Sequence, residues 1–382
     1  MDRPAAARPV PFSEFILKVH SRCNLACDYC YMYELADRRA RTDPPLMSAD
    51  IFDRSCARIA EHAQAHALSA VRVVLHGGEP LLVGAATLAR MAEQLRLAVS
   101  PAVARISVQT NGTLLDERAL SVLADADVLI GVSLDGDRVA NDRHRRYASG
   151  LGSFDAVDRA LRVLVERPEA YAGILCVIDL AADPRGTYEA LLRYEPPMID
   201  FLLPHANWDV PPPRAGQGDD AYGRWLSDAF DAWYDAPRRR TRVRIFEELL
   251  NLLLGGQSRT ESLGLSPVAA VVVNTDGGYE QVDTLRSSYP GAVDTHLSVF
   301  ADSFDQVLRH PAVAIRQAGV SGLADECRAC PIHQVCGGGN YPHRYRAGSF
   351  RNRSVYCQDL RLFIEHVSGR LRADLAGLRR GR

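Results

Sequence analysis

Apolar and β-branched residues gather in short runs at 15–20, 71–76, 106–110, 128–134, 174–178 and 201–204. Helical periodicity fills the intervals, at 48–66, 85–99, 116–125, 153–166, 186–194 and 219–235. Ile51, Ser55, Ile59 and His62 share one face of the first of these, and Leu161, Leu164 and Val165 one face of the fourth. Such alternation predicts an α/β fold, with βα units building a parallel sheet and helices packed outside it. Six units are two short of a closed barrel, so residues 1–235 are expected to form an open, partial (β/α)6 barrel. Chemistry in such a sheet collects at the carboxyl ends of the strands.

Beyond residue 235 the pattern changes. The Pro- and Gly-rich stretch 210–218 reads as a surface loop, and 243–254 as a helix closed by Gly255 and Gly256. That helix lies in a bridging segment, 236–265. Residues 266–382 are expected to form a second, small domain. It opens with a β-hairpin, 268–273 and 279–282, around Asp276-Gly277-Gly278. A cysteine-rich region at 327–357 follows, and a last helix carries Leu360, Ile364, Val367, Leu371 and Leu375 on one face.

Composition narrows the function classes. The chain is 47% hydrophobic and 24% charged with a formal net charge of -2, which is ordinary for a globular protein and recommends neither nucleic acid nor a membrane surface as partner. Residues 1–11 lack a signal-peptide pattern and no 18-residue apolar run occurs, so a cytoplasmic, thiol-reducing setting is expected. Lys18 is the only lysine among 45 basic residues, which reads as compositional bias. Seven of nine cysteines fall into two tight groups, pointing to metal rather than disulfides. Cys56 and Cys176 stand alone in apolar-periodic segments and are expected to be core thiols.

The first group, Cys23-x3-Cys27-x2-Cys30, follows the first strand. Three thiolates can hold three irons of a cubane and leave the fourth open, whereas a structural zinc would need a fourth ligand, for which His20 is available. Spacing and surroundings together resemble the radical S-adenosylmethionine (SAM) superfamily. Tyr29 precedes the third cysteine; Gly77-Gly78-Glu79-Pro80 follows strand two; Asn111 follows strand three; Ser133 and Asp135 end strand four; Arg145 lies just beyond. The resemblance implies that Gly77, Gly78, Glu79 and Pro80 hold the methionine amino group, that Ser133 contacts the ribose and that Arg145 pairs with the methionine carboxylate, with Tyr29, Asn111 and Asp135 beside them. It implies a four-iron cluster on Cys23, Cys27 and Cys30 that cleaves SAM to a 5′-deoxyadenosyl radical, with a one-electron donor such as flavodoxin or ferredoxin.

The second group, Cys327, Cys330, Cys336 and Cys357, offers four thiolates and resembles a SPASM domain, which implies one auxiliary four-iron cluster; a four-cysteine zinc is the alternative. Ligands expected for a second auxiliary cluster are missing, Asn340 standing at one such place. Asp283 follows another and resembles the carboxylate that accepts the proton when a peptide side chain is oxidised; His205, Asp209 and Glu280 compete for that role. The segments 280–285, 289–292, 330–331 and 336–345 resemble FxsB-type peptide maturases. That likeness implies a ribosomally made precursor peptide as substrate, β-hydrogen abstraction and a cyclophane cross-link to an aromatic ring. Only about 22 residues precede Cys23, so leader recognition is expected from the barrel–SPASM surface or a separate protein. The competing readings are a sulfatase-type formylglycine maturase and a non-catalytic metal-binding scaffold.

Overall fold

The computed structural model describes residues 9–214 and 216–380. Ten strands form one sheet in the order β10-β9-β8-β1-β2-β3-β4-β5-β6-β7. They are β1 (Glu14–His20), β2 (Ala70–Gly77), β3 (Val103–Thr110), β4 (Leu129–Ser133), β5 (Tyr171–Val177), β6 (Met198–Leu202), β7 (Arg242–Val243), β8 (Ala270–Val273), β9 (Gly278–Glu280) and β10 (Asp294–Ser298). Strands β1 to β7 are parallel to their neighbours, as the βα alternation requires. Helices α1 (Ala49–Ala65), α2 (Ala85–Val99), α3 (Glu117–Asp125), α4 (Arg138–His144), α5 (Phe154–Val165), α6 (Pro184–Leu192) and α7 (Ala221–Tyr234) occupy the connections, and α8 (Arg244–Leu253) follows β7.

Local chemistry sets several of these boundaries. Ser48, Asp116, Asp137 and Asp183 each accept a backbone N–H of the first turn of α1, α3, α4 and α6, satisfying donors a helix start leaves open. Along β1 the residues Phe15, Leu17 and Val19 pack under the outer helices, together with Val71, Val73 and Leu75 of β2 and Ile106 and Val108 of β3. Cys56 and Cys176 lie in this core. Even-numbered β1 positions turn to the concave side of the sheet, where Ile16 lines the cavity described below.

The hairpin joins the barrel sheet directly. Strand β8 pairs parallel to β1, Glu14 to Leu17 matching Ala270 to Val273, and β9 returns antiparallel beside it. Every unpaired edge is an open row of backbone donors and acceptors, and β8 covers that of β1. The C-terminal helix, Cys357–Arg380, packs on α7 through Phe363 and Phe230, so both ends of the later segment are anchored on the barrel. Among the described residues no helix is long and apolar enough to cross a membrane.

Candidate functional site

The loop carrying Cys23, Cys27 and Cys30 leaves the carboxyl end of β1. It is turned by backbone bonds from Cys30 N–H to the Cys27 carbonyl (3.1 Å) and from Glu34 N–H to the Cys30 carbonyl (2.8 Å). Asn111, at the end of β3, donates through Nδ2 to Asn24 (2.9 Å) and lies 3.6 Å from the Cys23 sulfur. The glycine pair has a clear steric reason. A Cβ on Gly77 would sit 2.1 Å from the His20 carbonyl oxygen, and one on Gly78 would sit 2.5 Å from that of Arg22 and 2.0 Å from the Tyr33 hydroxyl. The backbone of the cysteine loop crosses there, with Gly78 and Glu79 N–H groups donating to His20 and Arg22 carbonyls. The pair is needed for this crossing, in addition to any ligand it approaches.

Glu79 is fully buried. Its carboxylate accepts the Leu81 and Asn111 N–H groups and the Thr110 hydroxyl, at 2.9, 2.8 and 2.7 Å, tying the β2 turn to the end of β3. Burial pushes its pKa up and these three donors oppose that. Pro80 begins the short helical turn Pro80–Val83 behind it. Tyr29 donates to Asp135, whose other oxygen accepts the Val177 N–H (2.9 Å), and Arg145 Nη1 donates to the Tyr29 oxygen (2.9 Å). Arg145 is buried, and its Nε has no partner. Ser133, the last residue of β4, accepts from Gln109 Nε2 (3.1 Å). The sequence-predicted residues at the ends of β1 to β4 are thus brought into one contiguous patch.

The three thiols fit a cluster. Burial pushes Cys23 up to about 11 and Cys30 up to about 12, so they are protonated unless a cation replaces the protons. A tetrahedral zinc with Zn–S near 2.3 Å draws sulfurs to roughly 3.8 Å from one another. Three thiols in one loop suit three corners of a cubane, with the fourth iron left for a ligand. The unpartnered Arg145 Nε offers a place for a ligand carboxylate beside it.

The second thiol group is built on two single-turn helices and a helix start. Cys327 lies on Asp325–Arg328, Cys336 ends His333–Cys336 and Cys357 opens the C-terminal helix. Between them Gly337, Gly338 and Gly339 all take the left-handed conformation, and Arg344 clamps their three carbonyls at 2.6 to 3.1 Å. A Cβ on Gly337 would fall 1.6 Å from the Gly264 carbonyl oxygen, so only glycine fits. The Arg344 charge stands near Cys327 and Cys336.

A cavity of about 920 Å³ occupies the concave side of the sheet, and Tyr31, His76, Val282, Asp283 and Asn340 are among its lining residues. Lys18, fully buried, reaches Asp283 (2.6 Å) and Glu280 (2.5 Å), and Arg286 pairs with the other Glu280 oxygen (2.5 Å). Burial pushes the Asp283 carboxyl up, but Lys18, with His76 and Arg286, outweighs it and leaves the pKa below the usual range. Glu280 is held in this ion network, whereas His205 packs its ring against Tyr31, 4.9 Å between centroids, and burial pushes it down to about 4. Asp209 lies apart, accepting the Ala347 N–H in a surface loop. Sequence reasoning missed Lys18, Arg286 and Tyr31 as site residues. The available signal was a lysine within the apolar run Phe15–Val19 of β1.

Residues 17–178 match the family model described as Radical SAM superfamily. A cysteine-type anaerobic sulfatase-maturating enzyme of Clostridium perfringens is 25% identical over 376 residues, covering 94% of this chain and 97% of that protein. A serine-type anaerobic sulfatase-maturating enzyme of Klebsiella aerogenes is 25% identical, with 98% and 91% covered. The fold is similar to that of native anSMEcpe with bound AdoMet and Kp18Cys peptide (TM-score 0.79, 22% identity, 95% and 99% covered). It is also similar to Streptococcus suis SuiB bound to precursor peptide SuiA (TM-score 0.63, 15% identity, 91% and 76% covered). Residues 17–178 are thus similar to the radical SAM superfamily, and the chain is an enzyme whose cofactors are a four-iron cluster and S-adenosylmethionine.

Proposed function

We propose that the enzyme oxidises the β-carbon of a side chain in a peptide, with Asp283 accepting the proton and an aromatic cross-link as the product. The observation that carries this reading is an ionised carboxylate, Asp283, facing a cavity of about 920 Å³ that also reaches Tyr31, the neighbour of Cys30. Cys23, Cys27 and Cys30 hold the cluster, and Gly77, Gly78, Glu79, Pro80, Asn111, Ser133, Asp135 and Arg145 surround the cosubstrate, with Tyr29 orienting Arg145. When bound, the pair supplies an oxidant strong enough to take a hydrogen atom from an unactivated carbon. Net removal of two hydrogens then requires a base, because one leaves as a proton. Lys18 keeps Asp283 ionised for that role, and the cavity walls orient the peptide. Cys327, Cys330, Cys336 and Cys357 would hold one auxiliary four-iron cluster in a SPASM-like segment, a group able to accept the second electron for return to a one-electron carrier of the flavodoxin or ferredoxin class. A precursor peptide as substrate is supported by SuiB, of similar fold, being described with its precursor.

Oxidation of a serine or cysteine to an aldehyde is the second reading, favoured by the names of the full-length relatives. A candidate peptide incubated with reduced enzyme separates the two: cross-linking gives a loss of two hydrogens and no hydrazide-reactive aldehyde, serine oxidation the same loss with one. For either product, Asp283→Asn is expected to keep deoxyadenosine formation and lower peptide product by about 10²–10⁴-fold. Full product yield from that variant would remove Asp283 from the mechanism.

A further inference from the structure

On the outer face of the barrel, away from the cysteine loop, three ligand-type side chains converge. His62 lies in the last turn of α1 and His66 caps its C-terminal end, and Asp305 lies in the first turn of the short helix Phe304–Leu308, labelled α9. One carboxylate oxygen, Asp305 Oδ1, faces both His62 Nδ1 at 2.9 Å and His66 Nε2 at 2.8 Å. The three donor atoms lie within 4.8 Å of one another, and this is the group of His, Cys, Asp and Glu with that spacing among the described residues. We propose that His62, His66 and Asp305 bind a divalent transition-metal ion of the zinc class, which clasps α9 of the later segment to α1 of the barrel.

The chemistry of the donors sets the ion. Two imidazoles and one carboxylate suit zinc, and cobalt or nickel as substitutes, and leave one position for water. Histidines four apart on a helix present their rings to one side, and here the ring centroids are 4.4 Å apart. Ala63 stands where helical zinc hydrolases carry a general-base glutamate, so the arrangement fits a binding clasp rather than a hydrolytic centre.

Burial argues in the same direction. His62 is 2% exposed among Phe12, Phe15 and Phe304, and its Nε2 is buried with no partner. If protons alone hold the cluster, Nδ1–H and the His66 Nε2–H both donate to Asp305, and the His62 Nε2 lone pair is left buried without a donor. With a cation at Nδ1, the His62 proton sits on Nε2. His66 and Asp305 keep a quarter to a third of their side-chain surface exposed, which leaves an entry path from solvent.

The test uses cluster-loaded protein, so that iron occupies the cysteines, titrated anaerobically with zinc. One equivalent is expected to bind, with a zinc-edge absorption spectrum showing only nitrogen and oxygen neighbours. His66→Ala and Asp305→Asn, both on the outer face, are expected to weaken uptake at least about tenfold while iron content stays unchanged. Failure to take up zinc, sulfur in the zinc shell, or unaltered uptake by both variants would overturn the proposal.

Discussion

Replacing Lys18 by methionine tests the buried ion network most directly. In the folded protein Lys18 and Arg286 balance Glu280 and Asp283, and none of the four has appreciable exposure. Methionine keeps the length of the side chain and removes one positive charge, leaving a buried carboxylate without compensation. The least costly relaxation is for one carboxyl, Glu280, to take a proton, since burial already raises its pKa. Protonating a carboxyl of ordinary pKa near 4.3 at pH 7 costs ~3.7 kcal/mol, at about 1.36 kcal/mol per pH unit. That agrees with the loss of about 3–5 kcal/mol typical of a broken buried pair. The sign of the pH dependence follows. Above pH 4.3 the folded variant binds one proton that its unfolded chain does not, so its stability falls as pH rises. The destabilisation relative to wild type should be ~1.6 kcal/mol at pH 5.5 and ~3.7 at pH 7. Adding Glu280→Gln should remove the proton uptake and flatten the difference. Urea unfolding of cluster-free wild type, single and double variants, followed by tryptophan fluorescence at several pH values, measures all three. A pH-independent loss, or a double variant as pH-sensitive as the single one, would refute the charge-balance argument.

Two other outcomes follow from the site. Gly78→Ala places a methyl 2.5 Å from the Arg22 carbonyl oxygen, so the cysteine loop must shift; iron bound after reconstitution should fall by about four per chain, read by colorimetric iron assay. Cys330→Ala should lower iron from about eight to about four per chain if its group holds a cubane; unchanged iron with a loss of zinc would show a mononuclear site instead.

Much of this architecture was legible in the chain. Period-two and period-3.6 patterns located the six strands and their helices, α1 being expected at 48–66 and found at Ala49–Ala65, because each element buries one continuous face. The cysteine groups were legible from spacing alone. What stayed hidden depends on contacts between distant residues. Lys18 and Glu280 are 262 positions apart, and His62 and Asp305 are 243 apart, so no local pattern pairs them. The pairing of β8 with β1 was equally silent, since a short apolar strand such as Ala270–Val273 fits any open edge. The resemblance assigns Gly77 and Gly78 to the methionine amino group, and the structure adds the backbone crossing that requires them.

That β8–β1 pairing explains why the proposed base can work where it does. Glu280 ends β9 and Asp283 lies three residues later, so docking the hairpin on β1 brings two carboxylates against one concave-facing residue of β1. Two buried carboxylates facing each other would share a proton, and a base already protonated accepts nothing. Lys18 prevents this while occupying little space. The chain otherwise uses arginine at every basic position, 44 of 45, so a lysine here is not what composition favours. A guanidinium is planar and wide, whereas an ammonium is a compact point charge able to meet Asp283 and Glu280 together, at 2.6 and 2.5 Å. The one lysine therefore stands at the seam between the barrel and the segment that completes it, and the ionised state of Asp283 depends on both.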